Sequence, residues 1–174
     1  NALASTQDRL TTRIQDPLII LREEHDRGLQ ELEKISAAIG SIQENGFSAD
    51  AFAQIAESVR YIGSEMRKHY EKEERHLFPL LDKHLFESPN EIRYERREMW
   101  QSYNELINAI RDVEDGRSHG STVRDLLQCA LRVVEHFRNH ITRENDVILP
   151  MVKRLLTSDE YLQFGKEIQS ITYF

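Results

Sequence analysis

Two histidine–glutamate pairs stand out in the chain, His69 with Glu73 and His140 with Glu144, each four residues apart. On a helix that spacing puts both side chains on one face, one turn apart. Both pairs continue an apolar stripe rather than a charged face, so a bundle folded around those stripes buries them. A buried carboxylate is costly unless it is paired or bound to metal. Imidazoles and carboxylates that converge on a bundle centre make a ligand set for a hard-to-borderline cation, with carboxylates able to bridge two ions and imidazoles completing each coordination sphere. His25 lies in a stripe of its own and adds a third helix. A single histidine on an apolar face is more often a satisfied core residue, and a single pair of this kind is often a surface ion pair. Two pairs at matched places, with a stripe histidine beside them, outweigh those readings.

The elements that position these residues follow from steps of three and four. Pro17 opens a first helix with Leu18, Leu21, His25, Leu29, Leu32, Ile35 and Ile39, ending near Gly40, and Asn45-Gly46 signals a turn. Ser48 can cap a second helix carrying Phe52, Ile55, Val59, Ile62, Met66, His69, Glu73 and Leu77, which is expected to stop around Pro79. Lys83 to Ser88 is a connection, and Pro89 opens a third helix with Ile92, Met99, Tyr103, Leu106, Ile110 and Val113. After a loop from Gly116 to Gly120, Ser121 or Thr122 caps a fourth helix through Leu126, Leu131, Phe137, Ile141 and Ile148, with a kink or break at Pro150. Ser158-Asp159-Glu160 starts a short fifth helix that ends near Ile171. The fold class is all-α, an antiparallel up-down four-helix bundle with a short C-terminal fifth helix. Residues 1–16 are a polar lead-in, 17–156 the bundle, and 157–174 the helix packed on or beside it.

The chain also echoes itself. The segment Leu21 to His25 aligns with Ile92 to Arg96. The segment His69 to Pro79 aligns with His140 to Pro150. Two helical hairpins related by a pseudo-twofold axis account for this.

Composition narrows the function classes. The chain has 174 residues, 39% hydrophobic and 30% charged, with a net charge of -7. That length is enough to bury one core, and an acidic balance argues against nucleic-acid binding. No apolar run is long enough to span a membrane, and Asn1 to Thr12 lacks the apolar centre of a secretion signal. The single cysteine, Cys129, cannot form an internal disulfide and sits in an apolar run, which favours a core thiol and a reducing, cytoplasmic location.

Ferritin-like di-iron bundles place Glu-x-x-His on two helices. Here that spacing occurs at Glu73 and His76 and has no counterpart on the fourth helix. The repeated unit is His-x-x-x-Glu followed by Leu77-Phe78-Pro79 or Ile148-Leu149-Pro150. Together with Glu24-His25, this pattern resembles the hemerythrin-like (HHE cation-binding) family from Pro17 to about Pro150. The resemblance implies a non-haem di-iron site bridged by two glutamates, with His25, His69, Glu73, His140 and Glu144 as ligands. It implies iron, with manganese and zinc as alternatives.

One departure bears on the site. The third-helix position that holds histidine in the family is Arg96, and arginine does not ligate metals. Two irons with Glu95 (or, second, Glu98) as substitute ligand is one outcome. One metal, with the Arg96 guanidinium standing in for the second cation beside Glu73 and Glu144, is another. A register shifted by one residue is the third. Glu65 and His136, each one turn before a ligand histidine, are read with Arg96 as groups that orient ligands or carry protons. His136 could also replace the lost ligand. Tyr70, Tyr94 and Tyr103 could approach the site, His76 and His84 are read as surface residues, and Gly28 either leaves room for a small ligand or permits close packing.

A metal enclosed in a bundle suits small diatomic molecules and peroxide. The domain is therefore expected to bind, sense or react with dioxygen, nitric oxide or peroxide. Two alternatives stand beside this: an iron donor or iron–sulfur repair protein, and a metal-free helical interaction module. With the chain read as one domain, a stand-alone binder, scavenger or redox protein is expected over a one-component sensor. Loss of the third-helix histidine weakens reversible oxygen carriage most. Whether the chain acts as an enzyme, and in what oligomeric state, is left open by the pattern.

Overall fold

The computed structural model describes residues 15–85, 90–117 and 119–170, which are helical apart from short links and contain no strand. Helix α1 is Pro17–Asn45. Helix α2 covers residues 49–84 and includes two π-helical turns, Ile62–Met66 and Glu73–Leu77. Helix α3 is Asn90–Glu114. Helix α4 covers residues 120–155, with a π-helical turn at Glu144–Ile148. Helix α5 is Ser158–Ser170. The expected opener Pro89 and the expected end at Ile171 lie outside the described residues.

Several boundaries differ from expectation, each for a local reason. Asp16 caps α1, its Oδ1 accepting the Leu18 N–H at 2.9 Å. The helix runs past Gly40 because Ile42 is still on the buried stripe, which outweighs the roughly 1 kcal/mol cost of a helical glycine. It ends at Gly46, whose φ of +84° suits glycine and whose N–H bonds the Ile42 carbonyl. Ser48 caps α2 as expected, accepting the Ala51 N–H at 3.1 Å. Helix α4 begins one residue before Ser121, because the Val123 N–H already closes on the His119 carbonyl at 3.1 Å.

The expected stop at Pro79 and break at Pro150 are both corrected: α2 continues to His84 and α4 to Leu155. A proline inside a helix lacks an N–H and collides with the carbonyl four residues back. In each helix a π turn lies immediately upstream, and its extra residue widens the backbone where the proline ring must fit. Each of these two turns starts at one of the paired glutamates, Glu73 or Glu144.

Helix α1 packs on α2, α3 packs on α4, and α1 closes against α4. Small residues set two of the approaches. A Cβ on Gly28 would meet Met66 Sδ at 2.7 Å, and one on Gly63 would meet the Tyr103 hydroxyl at 2.0 Å. Gly28 therefore permits close packing, and the Met66 thioether fills the space beside it. The interior forms two apolar clusters. The larger holds Leu32, Ile35, Met66, Tyr70, Met99, Phe137 and Ile141. The smaller holds Leu21, Leu77, Phe78, Ile92, Ile148 and Phe164. The paired histidines and glutamates occupy the stretches of α1, α2 and α4 between the two.

Helix α5 caps the end of the bundle, burying Phe164 and Ile168 in the smaller cluster. Tyr161 donates its hydroxyl to Asp16 Oδ1 at 2.6 Å, His76 Nδ1 lies 3.0 Å from Glu167, and His84 Nε2 lies 2.7 Å from Glu160. His76 and His84 are thus half-buried ties to α5, not free surface residues. Among the described residues no helix is long and apolar enough to cross a membrane.

Candidate metal centre

Between the two apolar clusters His25, His69, Glu73 and Glu144 come together, and each is buried. One ligand atom from each lies within 4.8 Å of all the others. His25 Nε2 is 2.9 Å from Glu144 Oε2 and 3.9 Å from Glu73 Oε1. His69 Nε2 is 2.8 Å from Glu73 Oε1 and 3.9 Å from Glu144 Oε2. Ligands about 2.1 Å from a shared ion are spaced about 3–4.2 Å apart in tetrahedral or octahedral sets, close to the 2.8–3.9 Å between these imidazoles and carboxylates.

The bonding left over supports the same fit. His69 Nε2 and Glu73 Oε1 approach each other without the alignment of a hydrogen bond, and neither makes a hydrogen bond to any other described residue. Buried polar atoms are rarely left so. A cation between them would satisfy both. Burial opposes charge on His69, yet Glu73, Glu144 and Glu24 together hold its imidazole well above the ordinary range. Burial also opposes charge on Glu144, but His140, His25 and His69 hold its carboxyl well below the ordinary range. Positive charge at this point is what the carboxylates are arranged to meet.

The outer oxygens of the same glutamates face a different cation. Arg96 Nη2 donates to Glu73 Oε2 in a very short contact and to Glu144 Oε1 at 3.0 Å. Its Nη1 reaches Glu74 at 3.1 Å, and its Nε donates to His140 Nε2 at 3.3 Å. Arg96 is 5% exposed, and its guanidinium sits 4.2 Å from the Phe78 ring centre and 4.8 Å from that of Tyr70. His140 Nε2, 2.6 Å from Glu144 Oε1, is thereby on the Arg96 side of the carboxylates, apart from the group of four. Each glutamate turns one oxygen to the His25 and His69 pair and the other to Arg96.

The outer nitrogens of the histidines obey the pseudo-symmetry. His69 Nδ1 is 3.4 Å from Glu24, which Lys72 also contacts at 2.9 Å. Burial works against the Glu24 carboxylate, but His69 and Lys72 lower its pKa to about 2. At the equivalent place His140 Nδ1 is 3.5 Å from Glu95, which pairs with Arg143. His25 Nδ1 instead lies 2.6 Å from Asn145 Oδ1. Such outer partners fix the orientation of ligand imidazoles.

Of the residues singled out from sequence, Glu95 is placed as the outer partner of His140 and Arg143, not among the four. Glu98 is exposed and accepts from the Tyr94 hydroxyl at 2.8 Å. Glu65 is exposed and bound to Ser64 and Lys68, beside the buried stripe of Ile62, Met66 and His69 rather than on it. His136 is half-buried, and no hydrogen bond or ion pair links it to the group. Tyr70 does approach, its ring 5.0 Å from that of His69 and 5.4 Å from that of His140. The Tyr103 hydroxyl goes to the Val59 carbonyl instead. Asn145 escaped sequence reading, since nothing in its spacing separates it from a solvated position. Glu24 was visible there only as half of the Glu24-His25 pattern.

No curated protein matches the chain. A family model described as the hemerythrin HHE cation binding domain matches residues 16–152, which takes in every helix that contributes to the centre, and the chain therefore belongs to that family.

Proposed function

We propose that the domain holds one non-haem metal ion, iron first and manganese or zinc as alternatives, between His25, His69, Glu73 and Glu144. In this reading Arg96 takes the place of a second cation. The observation that carries it is the division of the two carboxylates, one oxygen of each toward the histidine pair and the other toward the Arg96 guanidinium. Bound iron would supply redox chemistry toward a small molecule. The chain's own residues hold the ion and keep its carboxylates ionised, and the apolar clusters on both sides exclude water. A one-metal centre of this kind suits reaction with nitric oxide, peroxide or dioxygen in a scavenging or redox role in the cytoplasm, and does not suit reversible oxygen carriage.

Metal analysis of protein grown with iron, together with the visible spectrum, tests this. One metal per chain and no charge-transfer band from a bridged iron pair is the expected result. Two irons with that band would overturn the one-metal reading, and no metal at all would leave a helical interaction module. Arg96→His is expected to raise the content toward two metals per chain, because it removes the resident cation and returns an imidazole to α3.

A further inference from the structure

A groove of about 670 Å³ runs between α2 and α3, lined by Arg67, Tyr70, Arg75, Arg96, Arg97 and Trp100, among others. Its charge is opposite to that of the protein as a whole: five arginines and two glutamates line it in a chain of net charge -7. Arg96 and Glu74 are already engaged with one another, and Arg93 pairs with Asp82. Arg67, Arg75 and Arg97 have no carboxylate partner among the described residues. The Arg67 guanidinium lies 4.1 Å from the centre of the Trp100 ring and spends only its Nε, on the Gly63 carbonyl. Its two Nη groups make no hydrogen bond there. Trp100 is half-buried and meets Tyr70 and Phe137 in T-shaped contacts, so an aromatic ring with a guanidinium stacked on it stands beside forks that have no carboxylate partner.

We propose that this groove is a binding site for a small organic carboxylate with a flat, unsaturated body. The carboxylate would pair with Arg67, Arg75 and Arg97, and the flat body would lie along the half-buried Trp100 and the guanidinium stacked on it. Arginine suits this role because its planar fork matches a carboxylate and stacks on aromatic rings. The volume falls within the roughly 300–1,000 Å³ of small-molecule sites, which favours a small ligand over a folded partner. The site lies outside the histidine–glutamate group, separated from it by Arg96 and Tyr70, and does not require metal.

Trp100 is the only tryptophan, so its indole N–H signal in a heteronuclear NMR spectrum of the intact chain reports on the groove directly. The probes are 2-naphthoate and its neutral amide, 2-naphthamide, titrated into metal-free and metal-loaded protein. The expected result is a saturable shift of the Trp100 signal by 2-naphthoate, with a Kd below about 1 mM in both forms, and binding of the amide at least about tenfold weaker. The variant R67Q/R75Q/R97Q, altered only at exposed positions, is expected to lose about tenfold or more in affinity with an unchanged circular dichroism spectrum. R67K, which keeps the charge but not the fork, should fall between. Equal binding of acid and amide, undiminished binding to the triple variant, or no saturable shift would each overturn the proposal.

Discussion

Replacing Arg96 with leucine tests whether its guanidinium balances the two central glutamates. Arg96 makes two buried charge-assisted bonds there, to Glu73 and to Glu144. At about 1.5–3 kcal/mol for each bond to a charged group, their loss amounts to about 3–6 kcal/mol. Breaking a buried ion pair by deleting one partner typically costs a similar amount. Loss of the guanidinium charge favours proton uptake by the buried groups it faced. The folded variant then binds an extra proton, so its deficit is smaller at pH 6 than at pH 8. The assay is urea unfolding of chelator-treated protein at both pH values, with R96K alongside; lysine keeps the charge but lacks the fork and should show an intermediate loss. An R96L variant within about 1 kcal/mol of the parent at both pH values would refute the idea that this arginine balances the buried carboxylates.

Further outcomes are expected at other positions. Glu24→Gln removes the anionic partner of His69 Nδ1, and metal affinity measured by competition with a chelator should fall by about 10–100-fold with little change in helix content. Gly63→Ala places a methyl group against the Tyr103 hydroxyl at 2.0 Å and its ring carbon at 2.9 Å, so denaturant unfolding should show a loss of about 1–3 kcal/mol, partly recovered by adding Y103F. The Glu160 carboxylate is lowered to about 2 by the Thr157 N–H and by His84 and Lys83. A group depressed in the folded state stabilises above its ordinary 4.5 and loses that contribution as pH falls toward 2. Glu160→Gln should therefore weaken the docking of α5 at neutral pH and flatten the acid limb of the unfolding curve across that window. Hydrogen exchange of α5 amides reads the effect directly.

Apolar periodicity sets the helices and the inward face of each. Stripe periodicity placed His25, His69, Glu73, His140 and Glu144 on buried faces, because a helix turns by a constant angle and one register carries all its positions inward together. The repeat of His69 to Pro79 in His140 to Pro150 likewise pointed to two equivalent ligand helices, and the family match spans both copies. Periodicity assumes an unbroken α-helical turn. It therefore stopped α2 at Pro79, which a π turn accommodates. What only the tertiary structure decided is how the carboxylate oxygens divide between His25 with His69 and Arg96 with His140. That division depends on the side-chain reach of four different helices meeting at one depth. The α2–α3 groove belongs to the same class: Arg67 and Arg75 lie more than twenty residues from Arg97 and Trp100, and only packing brings the two helices' surfaces to one place.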